Sequence, residues 1–322
     1  MGAQVILPLG KLRKTLFSIP PEEVTFARRG FRGGEAGLWQ RLEQVGHTFV
    51  RGYHAALEND EPEALVLRLN AVETEFSGFA FEGASMGLAL LDQLSPWRRN
   101  RLTTFLKGPG ASHAYMVHVG AGWAFARFHR NVEGCSQQLD PLLRWLAVDG
   151  YGFHEGYFHW RRYVERHAYP GRLSGYGGRV FDQGLGRSLW FVDGADVAQI
   201  PETIAAFPSS RHADLWSGVG LACTYVGGLN FVALKALRAA AGTYTTHLAQ
   251  GAAFAAKARQ RAGNHTSQTD RACAVLCGVP ADAAAAITDA ALEDLTSDGA
   301  EPPYEVWRRR VRARFAEEAA LP

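Results

Sequence analysis

A short motif, glycine followed two positions later by another small residue, returns along this chain at nearly even spacing, and it limits the fold more than any other feature. The first glycines stand at Gly46, Gly83, Gly120, Gly150, Gly184, Gly218 and Gly251, so the spacings are 37, 37, 30, 34, 34 and 33 residues. A period in that range marks a repeat protein, whose units bury their apolar faces against one another in a continuous core. No alternation of β-branched residues persists anywhere, while helical apolar spacing recurs around each glycine pair. The expected fold is therefore all-α: about seven helical hairpins, arranged as an open α-solenoid of tetratricopeptide-like architecture or as a closed α/α toroid. The tetratricopeptide consensus itself is not matched. Residues 1–33 read as a basic, proline-interrupted lead-in, 34–296 as the repeat domain, and 297–322 as an amphipathic capping helix. The lead-in (Lys11, Arg13, Lys14, Arg28, Arg29, Arg32) suits either a cap on the first unit or an arm that docks on an acidic partner or a membrane face.

Glycine inside a helix costs about 1 kcal/mol against alanine. Paired small residues offset that cost when another backbone, or a ligand, comes close. The residue before each glycine is polar in five of the seven units: Glu82, Asp149, Gln183, Ser217 and Gln250. Superposed repeats would line these side chains down one face. Such a line is either a hydrogen-bonded network between repeats or the polar floor of a ligand groove.

Composition removes several function classes. Thirty-four basic and 32 acidic residues leave a net charge of +2, and no tract alternates basic with aromatic residues, so no nucleic-acid partner is expected. Cys135, Cys223, Cys273 and Cys277 are few and scattered, as in a reduced cytoplasmic protein. No run reaches the eighteen or more apolar residues of a spanning helix, and a cytoplasmic location follows as an expectation.

The densest chemistry lies in residues 149–162, DGYGFHEGYFHWRR. Asp149, His154, Glu155 and His159 are the candidate catalytic groups for acid–base work, with Tyr163 nearby, because burial among aromatic rings shifts pKa values. A zinc site is not expected there. A zinc helix needs histidines four apart, whereas His154 and His159 are five apart, roughly 140° around a continuous helix. His113 and His118 share that spacing and that objection. The other candidate ligand contacts are Trp123, Tyr151, Phe153, Trp160, Trp190 and Trp216, which would suit a long apolar molecule lying in a groove, with Glu82 and Arg187 as placed polar groups. Arg161, Arg162 and Arg187 are candidate anion contacts. No nucleophile elbow, phosphate loop or dinucleotide fingerprint occurs, so motifs name no cofactor.

Several runs carry a resemblance: GYHAALE (52–58), FEGASMGLALLDQLSPWRR (81–99), HAYMVHVGAGWAFAR (113–127), DGYGFHEGYFHWRRYVE (149–165), DQGLGRSLWF (182–191) and HLAQGAAFAAKARQRAGN (247–264). They resemble a bacterial family, domain of unknown function 1702, best known from enediyne natural-product gene clusters, over residues 20–318. The resemblance implies an accessory protein of the enediyne polyketide synthase cassette. It would bind, or help process, the linear polyene on its way to the enediyne core; the alternative is a non-catalytic scaffold that holds the cassette together. Implied partners are the polyene, the synthase, a propeller-like protein and a membrane protein, and a homo-oligomer fits as well. The family supplies no catalytic residues to carry over.

Overall fold

The computed structural model describes residues 9–95, 97, 100–295 and 300–319. Seven long helices carry the repeated motif: α1 (Ala36–Glu58), α2 (Ser77–Leu94), α3 (Ala114–Arg127), α4 (Trp145–Phe158), α5 (Gly175–Val192), α6 (Ser209–Val226) and α7 (Thr245–Ala262). Each packs along the next in chain order, and α7 then packs on the helix Ala281–Ala290. No strand occurs among the described residues. The all-α repeat expected from the spacing is what forms.

The glycines explain why. Gly120, Gly150, Gly184, Gly218 and Gly251 each rest on a backbone carbonyl of the preceding helix, those of Glu82, Val119, Asp149, Gln183 and Ser217. These carbonyls belong to the residues just before the preceding unit's own first glycine. The second glycines, Gly122, Gly152, Gly186 and Gly220, rest in the same way on carbonyls of the following helix. A side chain at any of these positions would overlap that backbone, so only glycine permits the approach. Close packing of helices, rather than room for a ligand, accounts for the motif. The ladder also corrects one register. Gly83 rests on the Phe49 carbonyl and Gly52 on the Ala80 carbonyl, so the first unit is centred on Val50 and Gly52. Gly46, which faces the Val24 side chain instead, is not the repeat glycine. The first interval becomes 33 residues in place of 37.

The array curls until its ends meet. The Arg259 guanidinium of α7 donates to the Glu75 carbonyl ahead of α2, Asn264 donates to Ser77, and Arg41 of α1 donates to the Val226 carbonyl at the end of α6. Tyr225 of α6 packs edge-on to Phe79 of α2 at 5.2 Å. The middle is filled by side chains, which leave hollows of only about 20 and 30 Å³.

Outer helices return the chain between units, for example Pro62–Leu69 after α1 and Phe231–Ala240 after α6. The hairpin reading fails in units three and four. After α3 come just the single turn Val132–Cys135 and the 3-10 turn Ser136–Gln138, and after α4 a π-helical turn, Arg161–Glu165. The outer layer is thin there, and a surface cleft takes its place.

The terminal segments hold to the array. Most of the lead-in's charge is spent internally: Arg13 pairs with Asp60, Lys14 with Glu58, Arg28 and Arg29 with Glu23, and Arg32 with Asp193. An arm reaching for an acidic partner would have to give up those pairs. The last helix, α8 (Pro303–Ala319), buries Tyr304, Trp307, Arg308, Val311 and Phe315, with Trp307 stacked on Phe254 of α7 at 4.4 Å. It plugs into the array rather than covering its end. The expected domain boundary at 296–297 lies outside the described residues, and the outer helix after α2 begins at Arg101.

Candidate functional site

Two constellations of polar side chains stand out, and the sequence treats them as one. The first is the polar line. Gln183 donates to Asp149 at 2.8 Å, while the Ser217 hydroxyl lies 3.3 Å from Gln183 and 3.0 Å from Gln250. From α8, Arg308 donates to Gln250 at 3.3 Å and to Asp214 at 2.6 Å, and Tyr304 accepts from Gln183 at 3.2 Å. Arg187 pairs with Asp149 and approaches Glu82 at 4.0 Å. Every member of the line is buried. The line exists as its spacing implies, and it is a network between helices rather than the floor of an open groove.

Glu82 is its strained member. Burial pushes this carboxyl up to about 7, against the pull of the Arg187 guanidinium; the nearby Asp149 carboxylate adds to the rise. Neither Glu82 Oε1 nor the facing Trp123 indole N–H completes a hydrogen bond. Below about pH 4.5 the group is protonated in both the folded and the unfolded chain. As pH rises past that value the unfolded chain ionises first, so stability falls until the folded protein ionises near 7. Glu82→Gln is therefore expected to match the wild-type melting temperature at pH 4. At pH 8 it should exceed the wild type, by at most about 3 kcal/mol. Equal melting curves at both pH values would show that Glu82 carries no such penalty.

The second constellation lies in the cleft beside units three and four. His154 Nδ1 stands 3.1 Å from Glu155 Oε1, and His159 Nδ1 stands 3.4 Å from Glu155 Oε2. One carboxylate thus faces two imidazoles. The helical-wheel objection assumes a helix that runs through His159, but α4 ends at Phe158. His159 has φ −123° and ψ 34°, and a π-helical turn follows. The break swings His159 back beside His154. π-Helical turns often mark functional positions.

Burial disfavours the charged form of both groups, with opposite consequences for each. It pushes the His154 pKa below the ordinary histidine value, against the opposing bond to Glu155, so the ring is neutral at pH 7. For Glu155 the two imidazole contacts outweigh burial and hold the carboxyl down at about 2. Tyr163, buried and facing the same carboxylate, has its pKa pushed up. Two hollows of about 330 and 450 Å³ flank the cluster and share His129 and His159. Arg130, Arg162 and Arg172 line one hollow, Arg29 and Arg127 the other. His129 holds a left-handed backbone, φ 50°, a conformation that costs energy in a non-glycine residue.

The structure thus unites His154, Glu155 and His159 and separates Asp149 from them, because the Asp149 side chain points along the polar line to Gln183 and Arg187. Arg187 already has two protein carboxylates as partners. Trp123, Phe153, Trp190 and Trp216 are core residues, and Trp160 is buried with its indole N–H on the Arg29 carbonyl. The expected aromatic groove is interior packing, and of those rings only Tyr151 lines the cleft. Arg161 is exposed and stacks on Trp160, and Arg162 is an exposed wall of the cleft.

Sequence reading misses His129 and the α8 residues. Arg308 carried a signal: it falls four residues after Tyr304, inside the apolar stripe Tyr304, Trp307, Val311 and Phe315, where a charge needs a partner. His129 carried none.

No single helix among the described residues is long and apolar enough to cross a membrane. No curated protein and no solved structure matches the chain. Residues 8–315 match one family, described as a protein of unknown function, and over nearly its whole length the chain belongs to that family, DUF1702.

Proposed function

We propose that this protein binds an elongated small molecule with an anionic or carbonyl end in the cleft around His159, and that the His154–Glu155–His159 cluster moves protons on it. The observation that carries this reading is the meeting of a buried carboxylate and two imidazoles at the junction of two arginine-lined hollows. With Nδ1 of each ring turned to Glu155, Nε2 is left to accept or deliver a proton. The guanidinium groups would hold a carboxylate or a developing enolate, and Phe158, Ile19 and Leu173 offer apolar wall to the rest of the molecule. The resemblance to proteins of enediyne gene clusters points to the linear polyene of the iterative polyketide synthase, on its way to the enediyne core. It also points to a cytoplasmic setting beside that synthase.

The second reading is a scaffold for the synthase and its propeller-like and membrane companions. Exposed apolar side chains favour it: Leu9, Leu12 and Leu16 along one face of the helix Leu9–Phe17, and the pair Phe231 and Val232. Optical titration of the purified protein with a linear conjugated polyene carboxylic acid, in detergent-free buffer, separates the two. The cleft reading expects a saturable spectral shift, weakened roughly tenfold or more in Arg162→Ala by loss of a charge-assisted bond. The scaffold reading expects either no saturable shift or one that cleft substitutions leave alone.

A further inference from the structure

We propose that His154, Glu155 and His159 bind one divalent transition-metal ion, through two imidazole nitrogens and one carboxylate, with the remaining coordination positions facing the cleft. The inference takes the location of the site from the function proposed above, and puts a bound ion in place of proton acceptance by the two imidazoles. Metal–nitrogen and metal–oxygen bonds of about 2.0–2.2 Å place neighbouring ligand atoms about 3–3.5 Å apart. The two imidazole–carboxylate separations, 3.1 and 3.4 Å, fall in that interval, and one donor atom from each of the three residues lies within 4.8 Å of the others.

Donor chemistry agrees with the spacing. Two neutral imidazoles and a carboxylate suit zinc, iron(II), cobalt(II) or nickel(II), and such a facial set leaves positions for substrate or water. On binding, each ring would move its proton from Nδ1 to Nε2 and present the freed lone pair to the ion. His154 is held among Trp123 and Phe158, which fixes its ring plane, while His159 is half-exposed and can adjust. The neighbouring arginines oppose a bare dication, but they favour an ion whose open positions carry an anionic ligand.

The probe is cobalt(II) alone, added to the full chain after chelator treatment, with visible absorption and calorimetry as readouts. Expected are one cobalt per chain and d–d bands of a low-coordinate site. Glu155→Gln and His159→Ala should each weaken binding roughly 100-fold, a loss at the upper end of that from disturbing an outer-shell partner. His265→Ala, at an exposed histidine paired with Asp270, should change nothing. Circular dichroism checks folding, and the half-exposed His159 gives a variant expected to fold even where Glu155→Gln does not. Absence of bands in the wild type, or bands that survive both cleft substitutions, overturns the metal site. The polyene titration on chelated protein is independent: a polyene shift without cobalt bands removes the metal alone, and cobalt bands without a polyene shift remove the substrate reading alone.

Discussion

Gly184→Ala is expected to destabilise the protein by about 3 kcal/mol or more, roughly 4–5 °C or more in melting temperature, although alanine is the better helix former. A Cβ at that position would stand inside 3.0 Å of the Asp149 carbonyl and of the Phe153 backbone nitrogen, and backbone atoms of a packed helix cannot rotate away as a side-chain tip can. α4 and α5 would have to separate, which also opens the Asp149–Gln183 bond. Gly37→Ala is the control. Gly37 lies in the first turn of α1 with no atom within 4 Å of an added Cβ, so the same substitution there should stabilise, by about 0.5–1 kcal/mol. Thermal melts of the two variants test the ladder directly. A harmless Gly184→Ala would mean that the helices are not held at carbonyl contact.

Arg187→Met is the second large effect, expected to cost about 3–5 kcal/mol, because it takes from the buried Asp149 and Glu82 carboxyl groups the guanidinium that faces both in the centre of the array. The arginine also lies over the Phe153 ring at 4.5 Å, so methionine keeps part of the packing and mainly removes charge. Adding Asp149→Leu should recover most of the loss, since replacing both partners of a buried pair is often neutral. A double-mutant cycle by chemical denaturation measures the coupling. Additive losses would show that Asp149 and Arg187 act independently and that the line is not a single network.

Much of this was legible in the sequence, for one physical reason. Features set by helical periodicity alone can be counted along the chain: the repeat, the close helix packing, and the polar line through Asp149, Gln183, Ser217 and Gln250. The parts that resisted depend on where periodicity stops or on partners distant in sequence. Gly46 matched the motif, yet Gly52 makes the carbonyl contact, because spacing cannot tell which face of α1 meets α2. The His154–His159 angle was right for a continuous helix and wrong for one that ends at Phe158. Trp190 and Trp216 read as groove walls or as core, and the curling of the array, which fills its own interior, makes them core. The cleft arises because units three and four lack full outer helices, an absence that the glycine spacing does not reveal.

The carbonyl ladder has a consequence for how chains of this kind can change in length. Each inner helix is indexed against both neighbours at once, like a gear meshed on two sides. Inserting one residue between the paired glycines and the helix end turns the remainder by about 100°, carrying its contacts out of mesh with both partners. Length variation is therefore confined to the turns outside the ladder, or must come as whole units. The thinned outer layer of units three and four is the kind of edit the gearing allows, so a pocket could be carved there without disturbing the rack that holds the molecule together.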